Sequence, residues 1–172
     1  MAQRSDTLDL AGLRLGSGEG RRLELAVAAA PLSLGSERYG VAPDPVPVAI
    51  DVSRTAGGGY ALRLAFGATL SGPCMRCLSP AAPSFDVEAR EVDQPGAGEE
   101  LESPYVRDGA LDVRAWARDA LALSVPAQLL CRPDCAGLCP VCGVDLNLAD
   151  DDHAHEPGTD PRWAKLSELR FN

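Results

Sequence analysis

The chain has 172 residues, 45% hydrophobic, with six cysteines and a formal net charge of −9. That length suits one domain, and the absence of any apolar run of about eighteen residues excludes a helical membrane span. The charge is one-sided: residues 1–90 carry nine Arg against nine acids, while residues 91–172 carry sixteen acids against seven bases, which is the whole imbalance. An acidic half argues against sequence-independent binding to phosphates, whose affinity comes from counterions released at Lys and Arg. It favours a basic protein partner, or simple solubility. The opening MAQRSDTLDLAG has no apolar h-region, so a cytoplasmic protein is expected. In that compartment cysteine clusters read as metal or thiol chemistry and not as disulfides.

In chain order, Leu8, Leu10, Leu13 and Leu15 alternate in part before a Gly-rich gap at GSGEG. Leu23, Leu25 and Val27 then alternate as in a half-buried strand. Residues 31–45, with Pro31, Gly35, Gly40, Pro43 and Pro45, read as a loop. Val46, Val48, Ile50 and Val52 predict a strand over 46–53, in which Pro47 points to an edge position. Gly57-Gly58-Gly59 is a hairpin turn, and Tyr60, Leu62, Leu64 and Phe66 begin a strand running on through Ala68 and Leu70. After Cys77, the Pro80–Pro83 turn leads to another alternation at Phe85, Val87 and Ala89. The Cys74-Met75-Arg76-Cys77 turn therefore belongs at the tip of a β-hairpin.

Residues 93–104, DQPGAGEELESP, are acidic and rich in Pro and Gly, a flexible or partly disordered loop. Leu111 ends a short extended piece, and Asp112 is an N-cap for a helix to about Ser124, which Pro126 stops. Val113, Trp116, Ala120, Leu121 and Leu123 fall near helical spacing, with Arg114, Arg118 and Asp119 opposite. Asp160-Pro161 starts a last short helix, with Trp163, Leu166 and Leu169 on one face. Both tryptophans read as core. No internal repeat is evident.

The six cysteines fall in two places. Cys131, Cys135, Cys139 and Cys142 lie within twelve residues, and four thiolates suffice for a closed tetrahedral zinc site. Thiolates two residues apart on a tight turn can face one ion, and Gly143 supplies the φ > 0 that such a turn needs. The other set is Cys139, Cys142, His153 and His155, which leaves Cys131 and Cys135 outside. Spacing favours the four cysteines, because a His-x-His pair must bend to bring both rings to one ion. Free thiols without metal, or an iron–sulfur cluster, use the same residues. The His pair also reads as part of a solvated acidic loop with Asp150, Asp151, Asp152 and Glu156.

Cys74 and Cys77 can be half of a zinc site, a dithiol redox pair or a buried turn. Redox CxxC pairs gain their low pKa at a helix N-terminus, and here strands flank the pair. A joint site with Cys139 and Cys142, as in a zinc ribbon, is also open. Arg76 suits a phosphate or carboxylate contact, or sits on a solvated turn. No Ser/His/Asp arrangement, phosphate-cradling Gly loop or aromatic basic surface is evident.

The ordered series CMRCL (74–78), the acidic linker, LDVRAWARDALALSVPAQLLC (111–131), GLCPVCGVDLN (137–147) and DPRWAKLSEL (160–169) resembles the YceD family of large ribosomal RNA subunit accumulation proteins. The likeness covers roughly residues 60–170. It implies a bacterial cytoplasmic, non-enzymatic factor for accumulation of 23S rRNA. The implied partners are 23S rRNA, the pre-50S particle or a basic ribosomal protein, with no membrane and no small-molecule substrate. In the family the Cys-x-Arg-Cys turn persists most, matching Cys74, Arg76 and Cys77, and these three are the expected contact with RNA or partner. Many members carry a later Cys-x-Cys where this chain has His153-Ala154-His155, which keeps metal-ligand chemistry. Members lacking the later cysteines imply that metal there is structural.

The combined expectation is an α+β fold, a curved, partly barrel-like antiparallel sheet of about five strands with one packed helix and a Cys-rich C-terminal extension. Residues 1–130 form the core, with the acidic loop at about 93–104, and 131–172 form a metal-knuckle extension and C-terminal helix of the same domain. Structural zinc is expected at Cys131, Cys135, Cys139 and Cys142, with His153 and His155 as alternative ligands. The rival readings are a thiol-redox or metal-handling protein using Cys74 and Cys77, and a protein–protein adaptor without RNA contact.

Overall fold

The computed structural model describes residues 3–155. The chain forms two compact units, residues 1–135 and residues 136–172. In chain order the strands are β1 (Gln3–Arg4), β2 (Thr7–Asp9), β3 (Gly20–Val27), β4 (Leu32–Leu34), β5 (Glu37–Ala42), β6 (Val46–Arg54), β7 (Tyr60–Pro73), β8 (Pro80–Ala81), β9 (Ser84–Asp93), β10 (Val106–Arg107) and β11 (Ala110–Asp112). The helix α1 (Val113–Ser124) follows directly. The first unit is thus an α+β fold dominated by antiparallel pairing.

Strand β7 is the spine. Its 14 residues pair with β9 from Tyr60↔Asp93 to Thr69↔Ser84 on one side. On the other side β6 pairs from Arg54↔Tyr60 to Ala49↔Ala65, and β5 takes over from Ala42↔Thr69 to Gly40↔Ser71. The order is β1-β3-β6-β7-β5-β4, with β8 and β9 also on β7, and β2, β10 and β11 make a small second sheet. The strands do not close into a barrel, which corrects the barrel-like expectation: the order ends at β1 and β4.

Period-two alternation decides which face is buried. Val46, Val48, Ile50 and Val52 on β6 and Leu62, Leu64, Phe66, Ala68 and Leu70 on β7 point into one core. Helix α1 adds Val113, Trp116, Ala117, Ala120 and Leu121 to it. Each fully buried aliphatic side chain contributes about 1.5–3 kcal/mol. The helix starts as expected, with the Asp112 side chain accepting from the Ala115 amide at 2.9 Å. Leu123, expected on the apolar face, is 88% exposed. It lies off the stripe that Val113, Trp116, Ala117, Ala120 and Leu121 make.

Two further expectations change. Residues 31–45 are not all loop: Gly35, at φ 63, turns β4 into β5, and Leu32 pairs with the buried Tyr39. The strand count rises accordingly. Pro47 is not on an outermost strand, because β3 flanks β6. It does lie beyond Ala49, where pairing with β7 begins, so one side of the strand is open there. The helix expected after Pro161, and Trp163 with it, lie outside the described residues.

Candidate metal centres

The β7–β8 pairing ends at Pro73↔Pro80, and residues 74–79 close the hairpin. The Cys74 amide donates to the Ser79 carbonyl at 2.8 Å, and the Leu78 amide to the Cys74 carbonyl at 3.0 Å. Leu78 adopts φ 63 to make the turn. The tip rests on Tyr39, which is 1% exposed and donates its hydroxyl to the Pro73 carbonyl at 2.9 Å. Gly72 is required there, since a Cβ would stand 2.3 Å from Tyr39 Cδ1.

After α1 the chain returns to this tip. The Met75 amide donates to the Leu129 carbonyl at 2.8 Å, and the buried Leu129 gives its own amide to Met75 Sδ at 3.3 Å. This reciprocal pair delivers Cys131 and Cys135 to the turn. Cys74 Sγ stands 3.7 Å from Cys135 Sγ, and Cys77 Sγ 3.6 Å from Cys131 Sγ. All four sulfurs lie within 4.8 Å of one another.

A tetrahedral ion bound at the usual ~2.3 Å thiolate distance sets its sulfurs about 3.8 Å apart. The quartet therefore fits a single metal ion. It is too tight for a multi-iron cluster whose thiolates bind separate irons, and too open for disulfides, whose sulfurs stand about 2 Å apart. Cys74, Cys77 and Cys135 are buried, which suits a closed structural site.

The electrostatics agree with thiolate ligation. Burial raises the Cys74 thiol, but backbone amides at Cys77, Arg76 and Cys131 outweigh it and pull the pKa down to about 6. The Arg76 amide lies 3.5 Å from Cys74 Sγ. Cys131 is pushed up to about 12, by desolvation first and then by the neighbouring sulfurs of Cys77, Cys135 and Cys74. One thiol ionises readily and a neighbour resists, as expected for clustered sulfurs with no cation among them. A bound ion would reverse that resistance.

Arg76 is exposed, but its Nη1 donates to the Cys135 carbonyl at 2.7 Å. Met75 and Leu78 flank it, and Leu78 is 66% exposed. Both line an open groove with Leu34, Tyr39, Val125 and Pro126.

In the second unit, Cys139 and Cys142 come together with His153 and His155, the four ligand atoms again within 4.8 Å. The expected quartet of Cys131, Cys135, Cys139 and Cys142 is thus divided between two groups. The reason is tertiary: Cys131 and Cys135 are claimed by the distant hairpin tip, and the histidines fill the places they leave. Cys139 is pulled down to about 6, chiefly by His153 and then by amides at Cys142 and Val141. The alternative set of Cys139, Cys142, His153 and His155 is the one that converges, whereas the zinc-ribbon pairing of Cys74 and Cys77 with Cys139 and Cys142 is not made, because Cys131 and Cys135 stand beside the tip thiols instead. The Leu129–Met75 contact that joins them has no sequence signature.

The family model described as large ribosomal RNA subunit accumulation protein YceD matches residues 62–170. That span contains the hairpin, α1 and all six cysteines. Uncharacterized proteins of Mycobacterium tuberculosis and Mycobacterium bovis are each 42% identical to the chain over 104 residues, 57% of this chain and 49% of theirs. An uncharacterized protein of Mycobacterium leprae is 38% identical over 65 residues, 38% of this chain and 29% of its own. The chain spans about half the length of the curated relatives it matches. No solved structure matches it. Among the described residues, no helix is long and apolar enough to cross a membrane. With the family model covering well over half of the chain, the chain belongs to the YceD family.

Proposed function

We propose that this chain is a non-enzymatic, cytoplasmic accessory factor for accumulation of 23S rRNA during large-subunit biogenesis, and that its β-hairpin tip is the contact with RNA or a ribosomal protein. The observation that carries this reading is the family match over residues 62–170. Its support in the geometry is a tip stapled from three directions, by Tyr39, by Leu129 and by the four-thiol cluster. Zinc is the ion that best suits such a closed sulfur quartet. It would be held by Cys74, Cys77, Cys131 and Cys135, and would supply folding energy.

What the staple presents to a partner is Met75, Arg76 and Leu78 beside the open groove. A rigid, partly apolar tip with one cation suits a protein partner or a single phosphate contact. It does not suit a broad electrostatic grip on RNA. The dithiol-redox reading loses support because each tip thiol has its short sulfur contact across the cluster, Cys74 with Cys135 and Cys77 with Cys131.

The test is complementation in a strain deleted for the gene, read as the 23S to 16S rRNA ratio. Leu78→Asp, at an exposed position and with the Arg76–Cys135 bond left intact, is expected to leave protein level and metal content unchanged while failing to restore the ratio. Restoration equal to wild type would reject the tip as the contact. A 23S to 16S ratio unaffected by the deletion itself would reject the rRNA role.

A further inference from the structure

We propose that the outer edge of β9 is a docking site for an extended segment of a protein partner with Lys or Arg at alternate positions, taken up as an added strand. The inference concerns a different surface from the hairpin tip and does not depend on the rRNA reading. It rests on a free backbone edge and on the charge beside it.

One bond fixes the hydrogen-bonding phase of β9. The Leu70 amide donates to the Pro83 carbonyl at 2.9 Å, and bonded pairs alternate along an antiparallel ladder. With Thr69 opposite Ser84, the residues bonded to β7 are therefore Phe85, Val87, Ala89, Glu91 and Asp93. The amides and carbonyls of Ser84, Asp86, Glu88, Arg90 and Val92 point the other way. All five of these residues are exposed, and among the described residues β7 is the one strand that pairs with β9. Helix α1 packs on the inner side, where Val87 joins the same core.

Long sheet edges invite pairing, and proteins usually blunt them with short strands, prolines, bulges or lysines. The other described ends of this sheet obey that rule, since β1 has 2 residues and β4 has 3. Strand β9 does not. It runs for 10 residues without Pro or Lys, in unbroken register with β7. Its charges select what can pair with it. Asp86, Glu88, Glu91 and Asp93 stand against Arg90 alone, so a second copy of this chain, at a net −9, is repelled and a basic strand is attracted. Glu88 is already held by Arg63 and Arg90. Asp86 has no ion pair among the described residues and is open to a cation on an added strand. Beyond β9 the exposed Glu100 and Glu102 extend the acidic field. In such strand addition the main-chain bonds supply affinity and the alternate side chains supply specificity.

The test adds to the full chain a synthetic peptide alternating Lys and Val, matched to the 10 residues of β9, and follows amide hydrogen exchange by NMR. The amides of Asp86, Glu88, Arg90 and Val92 are expected to slow about tenfold or more as the peptide binds, while those of Val87, Ala89 and Glu91 are protected throughout. A peptide alternating Glu and Val, and the Lys peptide N-methylated at alternate residues, should give no protection. Arg90→Pro removes an outward amide and a positive charge and leaves the bonds to β7 in place. It should bind the Lys peptide about tenfold more weakly, although it makes the edge more acidic. Absence of protection at any concentration of the Lys peptide would overturn the proposal. So would equal binding by the N-methylated peptide or by Arg90→Pro, or shifts confined to Met75–Leu78. Protection of the same amides on concentrating the protein alone would make the occupant a second copy, and protection by single-stranded RNA in place of the peptide would make it a nucleic acid; either overturns the proposal. The N-methylated peptide leaves the protein unaltered, so it decides the matter even where Arg90→Pro fails to fold.

Discussion

Arg76 donates through Nη1 to the carbonyl oxygen of Cys135 at 2.7 Å, so the residue between the two tip cysteines holds the backbone that carries the fourth thiol. Sequence position places Arg76 at the exposed end of a hairpin. Its bond makes it a brace across the four-sulfur site as well.

Arg76→Ala should therefore weaken metal binding at the tip. The charge-assisted bond lies at an exposed position and is worth about 1 kcal/mol, which corresponds to a roughly fivefold rise in the dissociation constant. Arg76→Lys should recover only part of it, because an ammonium lacks the planar fork. Competition against a chromophoric chelator measures both.

Metal removal should expose thiols. All six cysteines are free of disulfides, so a thiol reagent at neutral pH should react slowly until a strong chelator is added, after which six thiols titrate per chain. Six fast thiols before chelation would mean that neither group holds metal.

The seat of the hairpin tip should be intolerant of bulk. Gly72→Ala drives a methyl against the ring of Tyr39, at 2.3 Å from Cδ1, and overpacking of this kind costs about 1–3 kcal/mol. Tyr39→Phe should cost about 1 kcal/mol through the lost bond to the Pro73 carbonyl. Urea midpoints at constant m-value check both.

Acid should act on the outer face of the sheet at Glu88. Its hydrogen bond with Arg63, 2.7 Å long, and then that with Arg90 hold its carboxyl down at about 2, against an ordinary 4.5. The folded value is the depressed one, so the contribution is full above about pH 4.5 and is lost as pH falls toward 2. Carboxyl ¹³C NMR should show Glu88 titrating near 2, moving up toward 4.5 most strongly in Arg63→Ala.

The legible part of this protein was its local order. The alternation on β6, β7 and β9, the Gly57–Gly59 turn, the Asp112 cap and the stop at Pro126 all depend on residues within a few positions of one another. Loop-like composition hid the β4–β5 hairpin, because Leu32 and Tyr39 declare themselves a pair only once Tyr39 is buried beneath the hairpin tip. Leu123 departs from its expected face for the opposite reason. An apolar residue near helical spacing need not lie on the face that the sheet covers.

By itself, then, the sequence determined that six cysteines and two histidines are the chemistry-bearing residues, and that Cys74 and Cys77 stand at a hairpin tip. Which thiols converge was decided by tertiary structure alone. Cys131 and Cys139 are eight positions apart, yet they belong to different groups, while Cys74 meets Cys135 across 61 positions. Ligands assemble where the backbone is brought together, and here that work is done by the long β7 strand, the turn after α1 and the Met75–Leu129 bonds. Those contacts are non-local hydrogen bonds and packing, and nearness along the chain carries no information about them.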